Sequence, residues 1–401
     1  MVAATVILAL TVAAIVARPR GLGEGWSATL GAAAMLLTRL ATPGDLLAVV
    51  REVAGVLLFL LSMMVLTAAA ERGSGRGLYA GLFLLGAAVT ALLSLDVTVL
   101  VLTPIVHALA VRLRLKPLPY LFICTFVANT GSLLPPISNL TNLLVYGLLG
   151  LGFAGFARAM LLPQLAALAA NLAVLALLFR RDIPRRFDPA PLRADPPVDD
   201  PAYLRAATLV LGATLVALVV AGVRGWPIAA PALAGGAALA GAALARGRAT
   251  PRALAAEVSW GLFPFVVGMF TIIRGVEDLW LRRLGGTITL TAHDLPALLV
   301  AAGGTALGSN LVNNVPMVAA LIGVLRQADP AAREPLALAV VLGGNRGPVV
   351  TPFGSLATLL WLAIVRRKGE AITGAGYMKV GALVAPPVLL AATLALWAVL
   401  R

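Results

Sequence analysis

The chain has 401 residues, 60% hydrophobic and only 12% charged, with a mean hydropathy of +0.98. A soluble fold of this length needs far more charge to cover its surface, so a water-borne globular protein is excluded. The formal net charge of +14 does not point to nucleic acid. Arg18, Arg20, Arg112, Arg114, Lys116, Arg180, Arg181, Arg185, Arg186, Arg246, Arg248, Arg366, Arg367 and Lys368 fall at the ends of apolar runs, the pattern that sets topology against an anionic leaflet of membrane lipid. No basic amphipathic helix or base-stacking module accompanies them.

Apolar runs long enough to cross about 30 Å of hydrocarbon recur from end to end. Lipid cannot satisfy exposed backbone groups, and the runs are too long and unbroken for barrel strands, so the expected class is an all-α polytopic membrane protein. One cysteine, Cys124, and two histidines leave no donor set for a disulfide, a cysteine-rich cluster or a zinc site. No cofactor, metal site or catalytic residue is expected, and no Ser–His–Asp neighbourhood, phosphate-binding loop or zinc-protease spacing supports an enzyme.

Val2 to Val16 lacks a basic start and a small-residue cleavage signal, so it reads as a first retained membrane helix. A glycine-rich turn (Gly21 to Gly25) leads to a second run, Trp26 to Leu40, and residues 52–70 form a third. Leu78 to Val111 is too long for one ordinary helix at about 1.5 Å per residue. It is interrupted at Ser94 and Asp96 and carries Thr103-Pro104. Leu118 to Val127 enters a break at Ala128–Asn142, Asn139 to Leu151 leaves it, and residues 156–179 complete a first half. Arg180 to Pro201 is proline-rich and arginine-rich, and is expected outside the bilayer, on the cytoplasmic side, with no fold of its own.

The plan then repeats. Leu204 to Ala221 and Pro227 to Leu244 are helical. Phe263 to Ile273 meets Arg274, Glu277 and Asp278. Leu295 to Leu325 is interrupted at Ser309–Pro316, Leu336 to Val365 at Gly343–Pro352, and Tyr377 to Leu400 closes the chain. Asn129, Gly131 and Pro136 recur at the same spacing as Asn345, Gly347 and Pro352. Small residues also serve close packing of membrane helices, but two breaks in matched order in each half indicate a transporter of two repeats. The expected division is 1–180, a linker 181–203, and 204–401, with ten to twelve membrane segments counting re-entrant and discontinuous ones.

A discontinuous helix leaves amides and carbonyls unpaired at mid-membrane, where short hydroxyl and amide side chains satisfy them and bind a polar solute. Asn129, Thr130, Ser132, Ser138, Asn139, Thr141 and Asn142 supply one such shell. Asn313, Asn314, Asn345, Arg346, Thr351, Ser355 and Thr358 supply the other. Pro135, Pro136, Pro316, Pro348 and Pro352 are expected to stop helices there, and Gly131, Gly343, Gly344 and Gly347 to permit the breaks and close approach. Asp96 is the only carboxylate deep in an apolar run of the first half, the place of a proton carrier. Arg346 has three open readings: a partner for Asp96, a countercharge for an anionic substrate, or a side chain reaching a water-filled vestibule. His107 reads as a helix-end or packing residue and Cys124 as a small hydrophobe.

Gly21 to Ala32, Leu100 to Val106, Ser138-Asn139-Leu140 and, above all, Thr351-Pro352-Phe353-Gly354-Ser355-Leu356-Ala357-Thr358-Leu359-Leu360-Trp361 carry a resemblance to the arsenical pump membrane protein family of the ion-transporter superfamily. It extends over essentially the whole chain. It implies two inverted repeats and a secondary transporter in a prokaryotic inner or plasma membrane, exporting arsenite or antimonite in exchange for protons. A homodimer and a soluble arsenite-stimulated ATPase partner are implied as well. The family usually has Asp at the positions of Asn129 and Asn345, so two carboxylates are missing here, and Arg346 adds a cation. That leaves open a proton- or sodium-coupled (Na⁺) carrier of an organic or inorganic anion, and, from another class, a membrane scaffold subunit.

Overall fold

A computed structural model of the chain describes residues 24–40, 73–92, 95–134, 136–190, 201–224, 229–257 and 294–401, with residues 6, 7, 10, 42 and 44. Met1–Leu58 and Phe59–Arg401 form two compact units. The first contains helix α1 (Glu24–Leu37). The runs read at 52–70 and 263–273, the linker residues 191–200, and Ser94 and Pro135 lie outside the described residues.

Among the described residues, helices are the regular structure of the second unit, with one isolated bridge between Ser74 and Arg186. In order come α2 (Gly75–Leu92), α3 (Leu95–Arg112), α4 (Pro117–Gly131), a single 3-10 turn (Pro136–Ser138), α5 (Leu140–Leu149) and α6 (Phe153–Leu178). There follow α7 (Pro201–Arg224), α8 (Ala229–Ala245), α9 (Pro251–Glu257), α10 (Leu295–Val312), α11 (Asn314–Gln327), α12 (Pro330–Arg346), α13 (Leu356–Arg367) and α14 (Gly374–Val399). Among the described residues, α6, α10 and α14 are each long and apolar enough to cross a membrane. At 26 residues, α6 and α14 are each about 39 Å long.

The order α2 to α6 matches α10 to α14, and the neighbours match too. As α2 lies against α4, so α10 lies against α12; as α4 lies against α6, so α12 lies against α14. Across the halves, α5 packs on α11 and α13 on α3, while α6 and α14 pack on each other. An aromatic cluster ties these elements: Phe122 and Phe126 of α4, Phe179, Trp361 of α13 and Tyr377 of α14, with ring centroids 5.2 to 6.2 Å apart. The Trp361 indole donates to the Leu121 carbonyl at 2.9 Å, satisfying its only polar atom inside the cluster.

Polarity is turned inward. Leu100, Val101 and Ile105 of α3, Leu161, Leu162 and Leu165 of α6, and Leu383, Leu390 and Leu394 of α14 are exposed, whereas Asn129, Asn142, Asn171, Asn345 and Arg346 are buried. That distribution suits lipid outside and paired polar groups within.

The loop after α6 does have local structure. The Phe187 amide donates to the Gly73 carbonyl at 2.8 Å, and the Gly75 amide to the Arg185 carbonyl at 3.3 Å. Gly73 has φ of +62°, and a Cβ there or at Gly75 would strike the backbone of Phe187 or Pro184. Residues 182–190 are therefore a strap across the start of α2, rather than free chain.

Two breaks also differ from the sequence reading. Gly343 and Gly344 lie inside α12, so they do not interrupt it. A Cβ at Gly343 would meet the Ala302 carbonyl of α10, and one at Gly344 the side chain of Val318 in α11; their smallness lets three helices converge. The upstream break is one residue, Asn313, with φ of 78°. Pro316 falls in the first turn of α11, where its missing N–H costs nothing, so it begins a helix rather than stopping one.

Gly343→Ala is expected to lower the unfolding free energy by about 2 kcal/mol, because the obstacle is backbone that cannot turn aside. Gly303→Ala in α10, with open space around it, is expected to be neutral or mildly stabilising. Thermal unfolding of the two purified variants in detergent distinguishes them; equal losses would contradict the packing account.

Candidate functional site

The break between α4 and α5 is bounded on both sides by short polar side chains. α4 ends at Gly131 with Ser132 as its C-cap, and Asn139 caps α5 by accepting from the Thr141 amide. Between them, the Ser138 hydroxyl donates to the Ser132 carbonyl at 2.6 Å, and the Asn142 amide donates to the same carbonyl at 2.7 Å. The Ser132 hydroxyl donates to the Asn129 carbonyl at 3.0 Å. The freed carbonyls of the break are thus answered by its own side chains.

Helix α12 inserts one residue into this shell. Asn345, next to last in α12 and fully buried, accepts at Oδ1 from Asn139 Nδ2 (2.9 Å) and Thr141 Oγ1 (2.5 Å), and donates from Nδ2 to Asn142 Oδ1 (2.6 Å). Its neighbour Arg346 reaches into the same break: Nη1 donates to the Asn129 carbonyl at 2.6 Å and Nη2 to Gln164 Oε1 at 2.8 Å. Arg346 is 1% exposed.

The expected pairing of Arg346 with Asp96 does not occur. Asp96 lies in the first turn of α3, and Thr90 Oγ1 of α2 donates to Thr98 Oγ1 of α3 at 2.9 Å. Its Oδ1 is buried and without a hydrogen-bond partner among the described residues. Neutral carbonyl oxygens have taken the arginine instead. This also removes the vestibule reading, since the guanidinium is enclosed.

Other predicted residues gather in a second cluster. Asn313 Nδ2 donates to the Phe353 carbonyl at 2.9 Å, and the Asn314 amide donates to the Gly354 carbonyl at 2.9 Å. Thr351 donates from its amide to Asn310 Oδ1 and from its hydroxyl to the Asn310 carbonyl, both at 2.8 Å. This clasps the segment holding Pro348 and Pro352 to the break at Asn313. Thr358 pairs with the Tyr377 hydroxyl at 3.2 Å. Ser355 precedes α13, and its buried hydroxyl has no partner among the described residues. His107 Nε2 lies 3.1 Å from Glu370 Oε1, at a partly buried helix side. The thiol of buried Cys124 lies 3.8 Å from the Tyr120 carbonyl, inside the hydrophobic core.

Three participants escaped the sequence reading. Gln164 Nε2 donates to the Thr130 carbonyl at 2.8 Å while its Oε1 takes Arg346 and the Leu133 amide. Asn171 donates to Thr130 Oγ1 at 2.8 Å and to the Phe126 carbonyl at 3.2 Å. They stand two helical turns apart in an otherwise apolar α6, a spacing that places both on one face and was the available signal. Asn310 is the third, one turn before Asn314.

Interrupted helices meeting through buried amides, within a shell of lipid-facing apolar side chains, define a polytopic membrane protein organised around two discontinuous helix pairs. A family model described as arsenical pump membrane protein matches residues 3–400. The chain is 34% identical to the arsenical pump membrane protein of Escherichia coli (strain K12) over 418 residues, covering 97% of this chain and 96% of that one. It is 33% identical to the protein of the same name from Yersinia enterocolitica, with the same coverage. A putative arsenical pump membrane protein of Bacillus subtilis (strain 168) is 25% identical over 410 residues, 92% of this chain and 93% of that one. The chain belongs to the arsenical pump membrane protein family.

Asn345→Ala would strand two donors and one acceptor, an expected loss of about 3 kcal/mol at roughly 1 kcal/mol for each unpaired group. Combined with Asn142→Ala, the loss should fall short of additivity by about 1 kcal/mol. Unfolding free energies of the two single variants and the double variant measure this; strict additivity would mean the two amides do not depend on each other.

Proposed function

We propose that the protein is a secondary transporter exporting arsenite or antimonite, in exchange for protons, by alternating access in a prokaryotic inner or plasma membrane. The observation that carries the reading is the meeting of the two breaks at Asn345, in a chain that matches its family from end to end. Breaks from two repeats in contact give a site that rocking of one half against the other opens to either side. The two halves, 1–180 and 204–401 joined by the linker 181–203, are inverted repeats. Their support is the exchange of neighbours, with α5 on α11 mirrored by α13 on α3.

Neutral arsenous acid carries hydroxyls and needs donors and acceptors rather than a countercharge. Asn139, Thr141, Asn142 and Asn345 are groups of that kind, bonded to one another and available when the halves part. The anion alternative has less to rest on, because both terminal nitrogens of Arg346 are already engaged by Asn129 and Gln164. Asp96 carries the proton: it stands at the start of a half-helix, with a buried oxygen that no described residue occupies. The homodimer and the ATPase partner belong to the same proposal and rest on the family resemblance.

Proteoliposomes with an imposed pH gradient, followed by mass detection of arsenite, test this directly. Accumulation driven by protons in sodium-free buffer is expected. No arsenite movement, or movement only with sodium, would contradict it. In Asp96→Asn, pH-driven accumulation should fall to the protein-free background while arsenite still raises Tm; surviving pH drive would remove Asp96 from the proton role.

A further inference from the structure

Arg346 poses a question that the transport reading leaves unanswered. A guanidinium buried in the protein interior is costly unless its charge is balanced, and no carboxylate among the described residues bonds to it. Part of the balance comes from the backbone. Asn129 is among the last residues of α4, so the guanidinium sits against the C-terminal end of that helix. That end carries roughly half a negative charge and offsets part of the positive one, the rest being spread over neutral acceptors.

The surroundings are rich in acceptors as well. Besides the Asn129 carbonyl and Gln164 Oε1, which hold the arginine, the buried Oδ1 atoms of Asn129 and Asn171 have no donor among the described residues, and Arg346 Nε has no acceptor among them. Gln164 is held in place by its own bond to Thr130. Carbonyl oxygens at helix C-termini are the ligand type by which membrane proteins hold desolvated monovalent cations.

We propose that Arg346 is a tethered cation: its guanidinium fills a monovalent-cation site formed where α4 ends, so the junction needs no free metal ion. Removing the side chain vacates a site that Na⁺ or a free guanidinium ion refills. The charge is then supplied from solution instead of from the chain. Arg346 is a positioning residue in this account, holding two breaks together without touching cargo.

Thermal stability, which does not depend on the cargo, is the readout. Purified wild type, Arg346→Ala, Arg346→Gln and Arg346→Lys are melted in choline chloride, in sodium chloride of equal ionic strength, and in choline chloride with millimolar methylguanidinium. Wild type and Arg346→Lys should melt alike in all three. Arg346→Ala and Arg346→Gln should melt several degrees lower in choline and recover at least half of that loss with sodium or methylguanidinium, by binding linkage. Neutral variants that melt like wild type in choline would overturn the proposal, as would a loss that neither cation restores. So would neutral variants that cannot be purified folded in any of the three media, since a vacant cation site should be refilled.

Discussion

The Asn345 side-chain amide, bonded to Asn139, Thr141 and Asn142, is the contact on which the rest of the structure depends. Breaking a helix inside a membrane frees backbone groups that lipid cannot satisfy. The first repeat meets part of that demand with its own hydroxyls and amides. The remainder is met by Asn345 and Arg346 of α12, so the break between α4 and α5 is incomplete without a segment about 200 residues further along the chain. A net contribution of only about 1 kcal/mol per buried hydrogen bond makes such a junction firm enough to be specific and weak enough to part.

Packing around the junction follows from the same demand. α12 must approach α10 and α11 closely for Asn345 to reach the first repeat, which explains Gly343 and Gly344. The rings of Phe122, Phe126, Trp361 and Tyr377 close the space on the other side of α4. The second cluster at Asn310, Asn313 and Thr351 keeps the segment between α12 and α13 from unwinding. Asn313 holds a φ of 78°, a conformation worth about 1–3 kcal/mol of strain and sustained here by bonds on either side of it.

Much of this was legible in the sequence, because a polar residue in a lipid-soluble chain is conspicuous. The interruption near Asp96, the Asn129–Asn142 break, and the repeat of Asn129 and Gly131 at Asn345 and Gly347 all stood out against apolar surroundings. What stayed hidden was partnership. Gly343 and Gly344 looked like hinges because glycine serves both flexibility and close approach, and only the neighbouring carbonyl of Ala302 distinguishes the two. Arg346 stayed open between a partner for Asp96, a countercharge for an anion and a side chain in a water-filled vestibule, because a helix C-terminus carries a charge that no residue letter records. Gln164 and Asn171 were visible in spacing but lay outside the breaks, where attention was fixed.

The central claim is that the two halves separate at Asn345 in every transport cycle. On a Cys124→Ala background, Val145→Cys on α5 and Val318→Cys on α11 can be joined by a short bifunctional thiol reagent, since these two helices pack on each other beside Asn345 and neither residue is among the cargo groups. Proton-driven arsenite exchange should stop when the pair is cross-linked with a reducible reagent and return when the link is cleaved, with both single-cysteine proteins indifferent to the treatment. Undiminished exchange by the fully cross-linked protein would show that the junction stays closed during transport, and would contradict the account.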